Sequence, residues 1–175
     1  MLQSQIVNRR GPLIELFYRT KLIAPLLVGG TFLCLIFCWQ HSSVRIPSPQ
    51  YLPVEAKWCL ANGLCITLEV ADKVQESEVG LMYRSPLPKA HGMLFPFSEP
   101  RKAQFWMLNM FSPLDMVFYS EGYVRAIHVN VPVCSAQPCP IYGPSEFVDG
   151  VIELRSGEVR RLDIKRGDEI NIYYH

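Results

Sequence analysis

From residue 64 the chain alternates cleanly, with Leu64, Ile66, Leu68 and Val70 facing one way and Cys65, Thr67 and Glu69 the other, the two-residue period of a half-buried strand. Residues 54–61 and 64–71 flank Asn62 and Gly63, which predicts a β-hairpin closed by a type I′ turn, because both central positions of that turn need positive φ. Asp72 as N-cap with Gln75 three residues on predicts a helix over 73–83 that packs Val74, Leu81 and Met82 and is ended by Pro86 and Pro88. Met93–Phe97, Gln104–Leu108 and Met116–Ser120 are bulky enough to be buried strands. Tyr123–Val131 alternates again, and Val151–Arg155, a helical turn over Ser156–Leu162, a turn at Gly167 and a strand over Glu169–Tyr173 complete the chain. Many short strands with one short helix predict a mainly β (α+β) domain, a small β-barrel or sandwich.

The pattern upstream is different. Leu22–Trp39, LIAPLLVGGTFLCLIFCW, is 18 residues without a charge. As a helix it is roughly 27 Å long, close to the hydrocarbon thickness of a bilayer. Arg9, Arg10, Arg19 and Lys21 precede it and only Arg45 follows closely, an asymmetry that favours a cytoplasmic amino terminus and an exported remainder. A cleaved signal peptide is the rival, but Phe37, Cys38, Trp39, Gln40 and His41 supply neither small residues for cleavage nor a lipidation signal. A buried helix of a soluble protein is a further rival. The chain thus divides into a basic tail (1–21), a transmembrane signal-anchor with the lipid bilayer as partner (22–39, with Cys34 and Cys38 as inert thiols), a proline-rich stalk (40–53) and a β-rich domain (54–175). Residues 1–53 carry a net charge of +4 and residues 54–175 one of −3. A mildly acidic exported part has no electrostatic footprint for nucleic acid.

Cysteine usage fits export. Cys134 and Cys139 bracket a proline-rich loop with a spacing that can close a small disulfide ring in an oxidising compartment. Cys59 and Cys65 flank the Asn62 turn, but in the two-residue hairpin register Cys65 faces Leu60, so a bridge there requires a diagonal or bulged pairing.

GLMYRSPLP from Gly80, GMLFPF from Gly92, FWMLNMFSPLDMVFYSEG from Phe105, PVCSAQPCPIYGP from Pro132, VIELRSG from Val151 and LDIKRGDEI from Leu162 together resemble the family called domain of unknown function 192. The resemblance runs in order through residues 64–172. It implies a compact, mostly β domain, often behind a signal or anchor, in bacteria and archaea, with no settled activity. The paired-cysteine loop is similar to that of members from photosynthetic bacteria, which adds a thylakoid lumen to the periplasm as a location. The family's tryptophan and methionine are usually followed by Lys, Asn and Thr, whereas Trp106 and Met107 are followed by Leu108, Asn109 and Met110. Asp163 stands where the family usually has glycine.

Arg84, Trp106, Asn109 and Asp115 occupy the most characteristic of these positions and could line a polar pocket for a small ligand or peptide end. The competing reading is structural: Asn109 and Asp115 cap the turn around Pro113, and Arg84 pairs with a carboxylate. His128, Cys134 and Cys139 have donors suited to zinc but not its spacing. A Cys134, His128 and Asp115 triad would need a free thiol. His41, His91 and His175 fall in stalk, loop and terminus, and no nucleophile elbow, Walker pattern or dinucleotide fingerprint occurs. The expectation is a membrane-anchored extracytoplasmic binding or assembly module without cofactor, facing an envelope or membrane protein. The alternative is an exported hydrolase using Asp115 and His128.

Overall fold

The computed structural model describes residues 48–175. The tail, the 22–39 segment and the first part of the stalk lie outside the described residues, and among the described residues no helix is long and apolar enough to cross a membrane. Seven strands are laid down in the order β1 (Val54–Cys59), β2 (Cys65–Val70), β3 (His91–Arg101), β4 (Leu114–Ser120), β5 (Tyr123–Val131), β6 (Val148–Arg155) and β7 (Ile172–Tyr174). Two helices interrupt them: α1 (Val74–Val79) between β2 and β3, and α2 (Glu158–Arg161) after β6.

All seven strands form one mixed sheet, ordered β5-β4-β6-β3-β2-β1-β7. Only β2 and β3 run parallel, and α1 lies in the crossover between them. The mainly β class holds, but the expected barrel or sandwich is replaced by a single open sheet. The reason lies in the central strands, where β4 and β6 bury both faces, so helices and loops rather than a second sheet cover them. The segment from Gly167 to Ile170 does reach the opposite edge, where Val124 N–H donates to Asp168 at 2.9 Å and Ile170 N–H to Gly122 at 2.7 Å. That contact is an isolated bridge, not a ladder, and the sheet does not close.

Each face has its own core. One packs Trp58, Ile66, Leu68, Leu94, Val117, Ile152 and Leu154 against Val159, Leu162, Ile164 and Ile170. The other packs Met93, Phe95, Met116, Phe118 and Val151 against Leu81, Met82, Leu87, Phe105, Met107 and Met110, which arrive on loops. The second is called the loop-covered face below.

Three local expectations change. The hairpin is not a type I′ turn: Gly63 has φ of 83° but Asn62 is not among the positive-φ residues. Gly63 N–H donates to Leu60 at 2.9 Å and Leu60 N–H to Leu64 at 2.8 Å, the three-residue connection with a bulge glycine. That extra residue moves the register so that Cys59 opposes Cys65, and the two form a disulfide with Cα atoms 4.0 Å apart. The first helix is shorter than 73–83 and buries none of its own residues; Val74 is exposed, while Leu81 and Met82 are buried beyond its end. Gln104–Leu108 is not a strand but an irregular segment held by paired 2.7 Å hydrogen bonds between Phe105 and Tyr142.

Candidate functional site

The sequence reading placed Glu69 on the outward side of β2, yet it is 3% exposed. β2 is an inner strand, and the side opposite Ile66 and Leu68 is covered by the loop that carries Arg84. Arg84 grips the Glu69 carboxylate with two parallel bonds of 2.7 Å, Leu52 N–H donates to it at 2.8 Å and His91 Nε2 lies at 2.9 Å. Burial alone would raise the Glu69 pKa, but the hydrogen bonds from His91, Arg84 and Leu52 outweigh it and bring it down to about 2. The Tyr51 ring covers the Arg84 guanidinium at 4.5 Å, and Gln50 donates to the Glu76 and Gly80 carbonyls at 2.6 and 3.0 Å. The described end of the stalk is thus docked on the domain.

Asn109 stands at φ of 62°, the left-handed region that asparagine tolerates better than most residues. Its carbonyl accepts from Tyr83 N–H at 2.9 Å, so it shapes the loop that brings Trp106, Met107 and Met110 onto the loop-covered face. Cys134, bridged to Cys139 with Cα atoms 5.7 Å apart, donates its N–H to Met107 at 3.0 Å and so ties the disulfide loop to the same segment.

Asp115 is elsewhere. On β4 it alternates with Leu114 and Met116, which puts it on the opposite face of the sheet, and it accepts from Asn130 N–H at 2.8 Å and from Gly157 and Val159 N–H at 2.9 Å each. It anchors the start of α2. A cleft of about 520 Å³ passes beside it, lined also by Ser156, Arg160 and Lys165. Arg84, Trp106 and Asn109 therefore gather on the loop-covered side, and Asp115 does not join them. Nor does it join His128, whose ring packs edge-on against Phe118 and Tyr142 on the loop-covered face. Cys134 and Cys139 are in disulfide form, so the thiolates that a zinc site or a cysteine nucleophile needs are not present. Among the described residues no group of three or more His, Cys, Asp or Glu could hold a metal ion.

What the sequence reading missed is a row across the loop-covered face. The strand registers set Glu69 beside Met93, Met93 beside Glu153, Glu153 beside Met116, and Met116 beside His128. Cross-strand partners project on one side of a sheet, so these five side chains form a continuous line over five strands. Glu153 sits at its centre, 1% exposed, and neither of its oxygens has a hydrogen-bond partner among the described residues. Burial pushes its pKa up to about 8, which keeps it protonated near neutral pH. His128 Nε2, Trp106 Nε1 and Arg84 Nε are likewise buried without a partner. Trp106 packs against the same core, and Arg84 holds the Glu69 end of the row. By contrast, Trp58 on the other face donates its indole N–H to Glu169 at 3.1 Å. The one signal in the sequence was a glutamate inside the otherwise bulky run Val151–Leu154.

Fold and site together define a class of small domain: an open mixed sheet with one conventional core and one face whose core holds polar groups without a partner among the described residues. Residues 58–172 match the domain of unknown function 192 family, described as an uncharacterized ACR, and the chain belongs to it. It is similar to a solved structure of a Sinorhizobium meliloti protein put forward as a transcription regulator, at 38% identity over 69% of this chain and 92% of that one, with a TM-score of 0.58. It is also similar to a protein of unknown function from Novosphingobium aromaticivorans, at 27% identity over 74% of this chain and 94% of that one, with a TM-score of 0.60. No curated protein matches the chain.

Proposed function

We propose that the protein is a membrane-anchored, extracytoplasmic binding module, non-catalytic, whose binding element is the loop-covered face of the sheet. One observation carries this reading: every buried side-chain polar atom without a partner among the described residues belongs to Arg84, Trp106, His128 or Glu153, and all four lie on that face. Leaving a buried polar atom unpaired costs about 1–3 kcal/mol, so four residues that do so together serve something other than folding. A ligand that enters beneath the Trp106–Met110 loop meets a carboxyl, an imidazole and an indole N–H in an apolar setting, the composition of a binding pocket.

The anchor at residues 22–39, with the amino terminus inside, carries the domain on the outer side of the cell membrane, in a periplasm or a thylakoid lumen. Two disulfides favour an oxidising location. Partners are the bilayer and a membrane or envelope component that delivers or receives the ligand. Asp115 accepts from three backbone N–H groups and lies on the face of the sheet opposite His128, so the pair that a hydrolase would use is not brought together, and we assign no catalytic residue.

The test is retention. The full chain, extracted from its own membranes in mild detergent, is expected to carry a small bound species in native mass spectrometry, and both Trp106→Ala and Glu153→Leu are expected to lose it. Wild-type protein that is empty, or variants that retain the species as wild type does, would overturn the assignment.

A further inference from the structure

The loops that cover this face differ in composition from the rest of the surface. Charged residues make up 19% of the chain, yet neither residues 103–114 nor residues 132–145 include one. On the other face, the run 155–169 carries nine. The two uncharged loops are joined to each other, since Leu108 bridges to Cys134 and Phe105 to Tyr142, and the Cys134–Cys139 disulfide closes the second loop. Apolar side chains nevertheless stand out from them: Phe111 is 66% exposed, and Val133 and Ile141 are exposed as well. The Phe111 ring meets Tyr83 edge-on at 6.4 Å, and Tyr83 precedes Arg84, whose guanidinium lies under the exposed Tyr51 ring at 4.5 Å. Tyr51, Tyr83 and Phe111 therefore form one aromatic surface. The single charge within it, Arg84, is buried and paired with Glu69.

We propose that this uncharged aromatic surface docks on the interface of the lipid bilayer, with Phe111 and Tyr51 as the side chains that enter it. The inference rests on the anchored topology proposed above and states which side of the domain meets the lipid. The length of chain between anchor and domain argues for lipid as the occupant. Only residues 40–49 separate Trp39 from Gln50, a reach of about 35 Å when fully extended. Gln50 and Tyr51 are themselves fixed to the domain, by hydrogen bonds to the Glu76 and Gly80 carbonyls and by the stack on Arg84. The tether thus ends on the aromatic surface itself. So short a link makes contact with the bilayer intramolecular, and a weak interfacial affinity is enough to hold it. Aromatic rings are favoured at headgroup level, whereas charged side chains are costly deeper in the membrane, and the composition of the two loops matches that preference. With no charge in either loop, the contact needs no anionic lipid and is insensitive to salt.

The test uses the full chain, one molecule per nanodisc of phosphatidylcholine, with Cys34→Ser and Cys38→Ser so that the remaining cysteines are all in disulfides. A nitroxide is attached through Ser112→Cys, beside Phe111, and in a second sample through Val129→Cys, which is exposed and lines the cleft on the opposite face. Collisions with a water-soluble nickel chelate, relative to those with oxygen, are expected to be roughly threefold or more rarer at 112 than at 129, at low and high salt alike. Adding Phe111→Asp, a change at an exposed position, is expected to bring the label at 112 to the value at 129. A label at 112 as open to nickel as the one at 129, or shielding that survives Phe111→Asp, overturns the docking surface. Shielding seen in native membranes but not in nanodiscs also overturns it, in favour of a protein partner. A chain that enters nanodiscs yet leaves 112 in water keeps its anchor and loses the docking; a chain that does not enter them loses both.

Discussion

Glu69 and Glu153 are buried carboxyls on one face of one sheet, and their surroundings drive them in opposite directions. Glu69 has a folded pKa of about 2, below its ordinary 4.5, so the stability it contributes is complete above 4.5 and is lost as pH falls toward 2. Glu153 has a folded pKa of about 8, so the fold holds a proton that the unfolded chain releases, and stability falls as pH rises from 4.5 through 8. The unfolding free energy of the wild type is therefore expected to peak near about pH 5. Denaturant titrations across pH check this, and Glu69→Gln should shrink the acid limb, to which Glu76 and Glu158 also contribute, and leave the alkaline fall in place. Arg84→Met strands Glu69 without its partner and is expected to cost about 3–5 kcal/mol. Asp115→Ala, which leaves the N–H groups of Asn130, Gly157 and Val159 without their shared acceptor, is expected to cost about 2–4 kcal/mol by the same titration. Arg84, Trp106 and Asn109 could be singled out in the sequence because a motif marked them. For Glu153 the sequence offered only a glutamate within a bulky run, because the lack of a partner is a property of space rather than of spacing.

Among elements, the strand over Tyr123–Val131 was legible to the residue, and β1 and β2 nearly so, because alternation reports a strand with one polar side. The turn between β1 and β2 was not, since Asn-Gly serves both two- and three-residue connections, and only the backbone decides which one forms. That difference aligned Cys59 with Cys65. Replacing both by Ala is expected to cost about 2 kcal/mol, read as a lower denaturation midpoint. The end of α2 shows a second case. Asp163 occupies the left-handed position, φ of 56°, of a helix-terminating motif in which Ile164 N–H donates back to Val159 at 3.0 Å and Asp163 N–H to Arg160 at 3.3 Å. Glycine at this position avoids the penalty of a side chain there. Asp163→Gly is thus expected to stabilise the domain by about 0.5–1 kcal/mol, measured as a raised midpoint, with its exposed ion pair to Lys165 contributing little.

At the scale of the whole molecule, the fold class was legible and the architecture was not. Bulky runs such as β4 and β6 are compatible with a barrel, a sandwich or a two-sided open sheet, and the choice depends on what covers each face. Here loops and short helices do so, and the buried polar groups without a partner among the described residues lie on the loop-covered face. Under the proposed anchored topology, protease added to intact spheroplasts should digest residues 48–175 and spare the basic tail, and thiol labelling should find Cys134 and Cys139 reactive only after reduction. A domain protected from external protease would place it on the other side of the membrane.

The measurement that bears most directly on the account is the equilibrium unfolding of Glu153→Leu against wild type at about pH 8, where the wild-type carboxyl is half ionised. If Glu153 is an unpartnered group kept for binding, the apolar replacement raises the unfolding free energy by about 1–3 kcal/mol. A variant less stable than wild type by a similar amount would mean that Glu153 is held by the fold for the fold's own sake, and the binding face would lose its foundation.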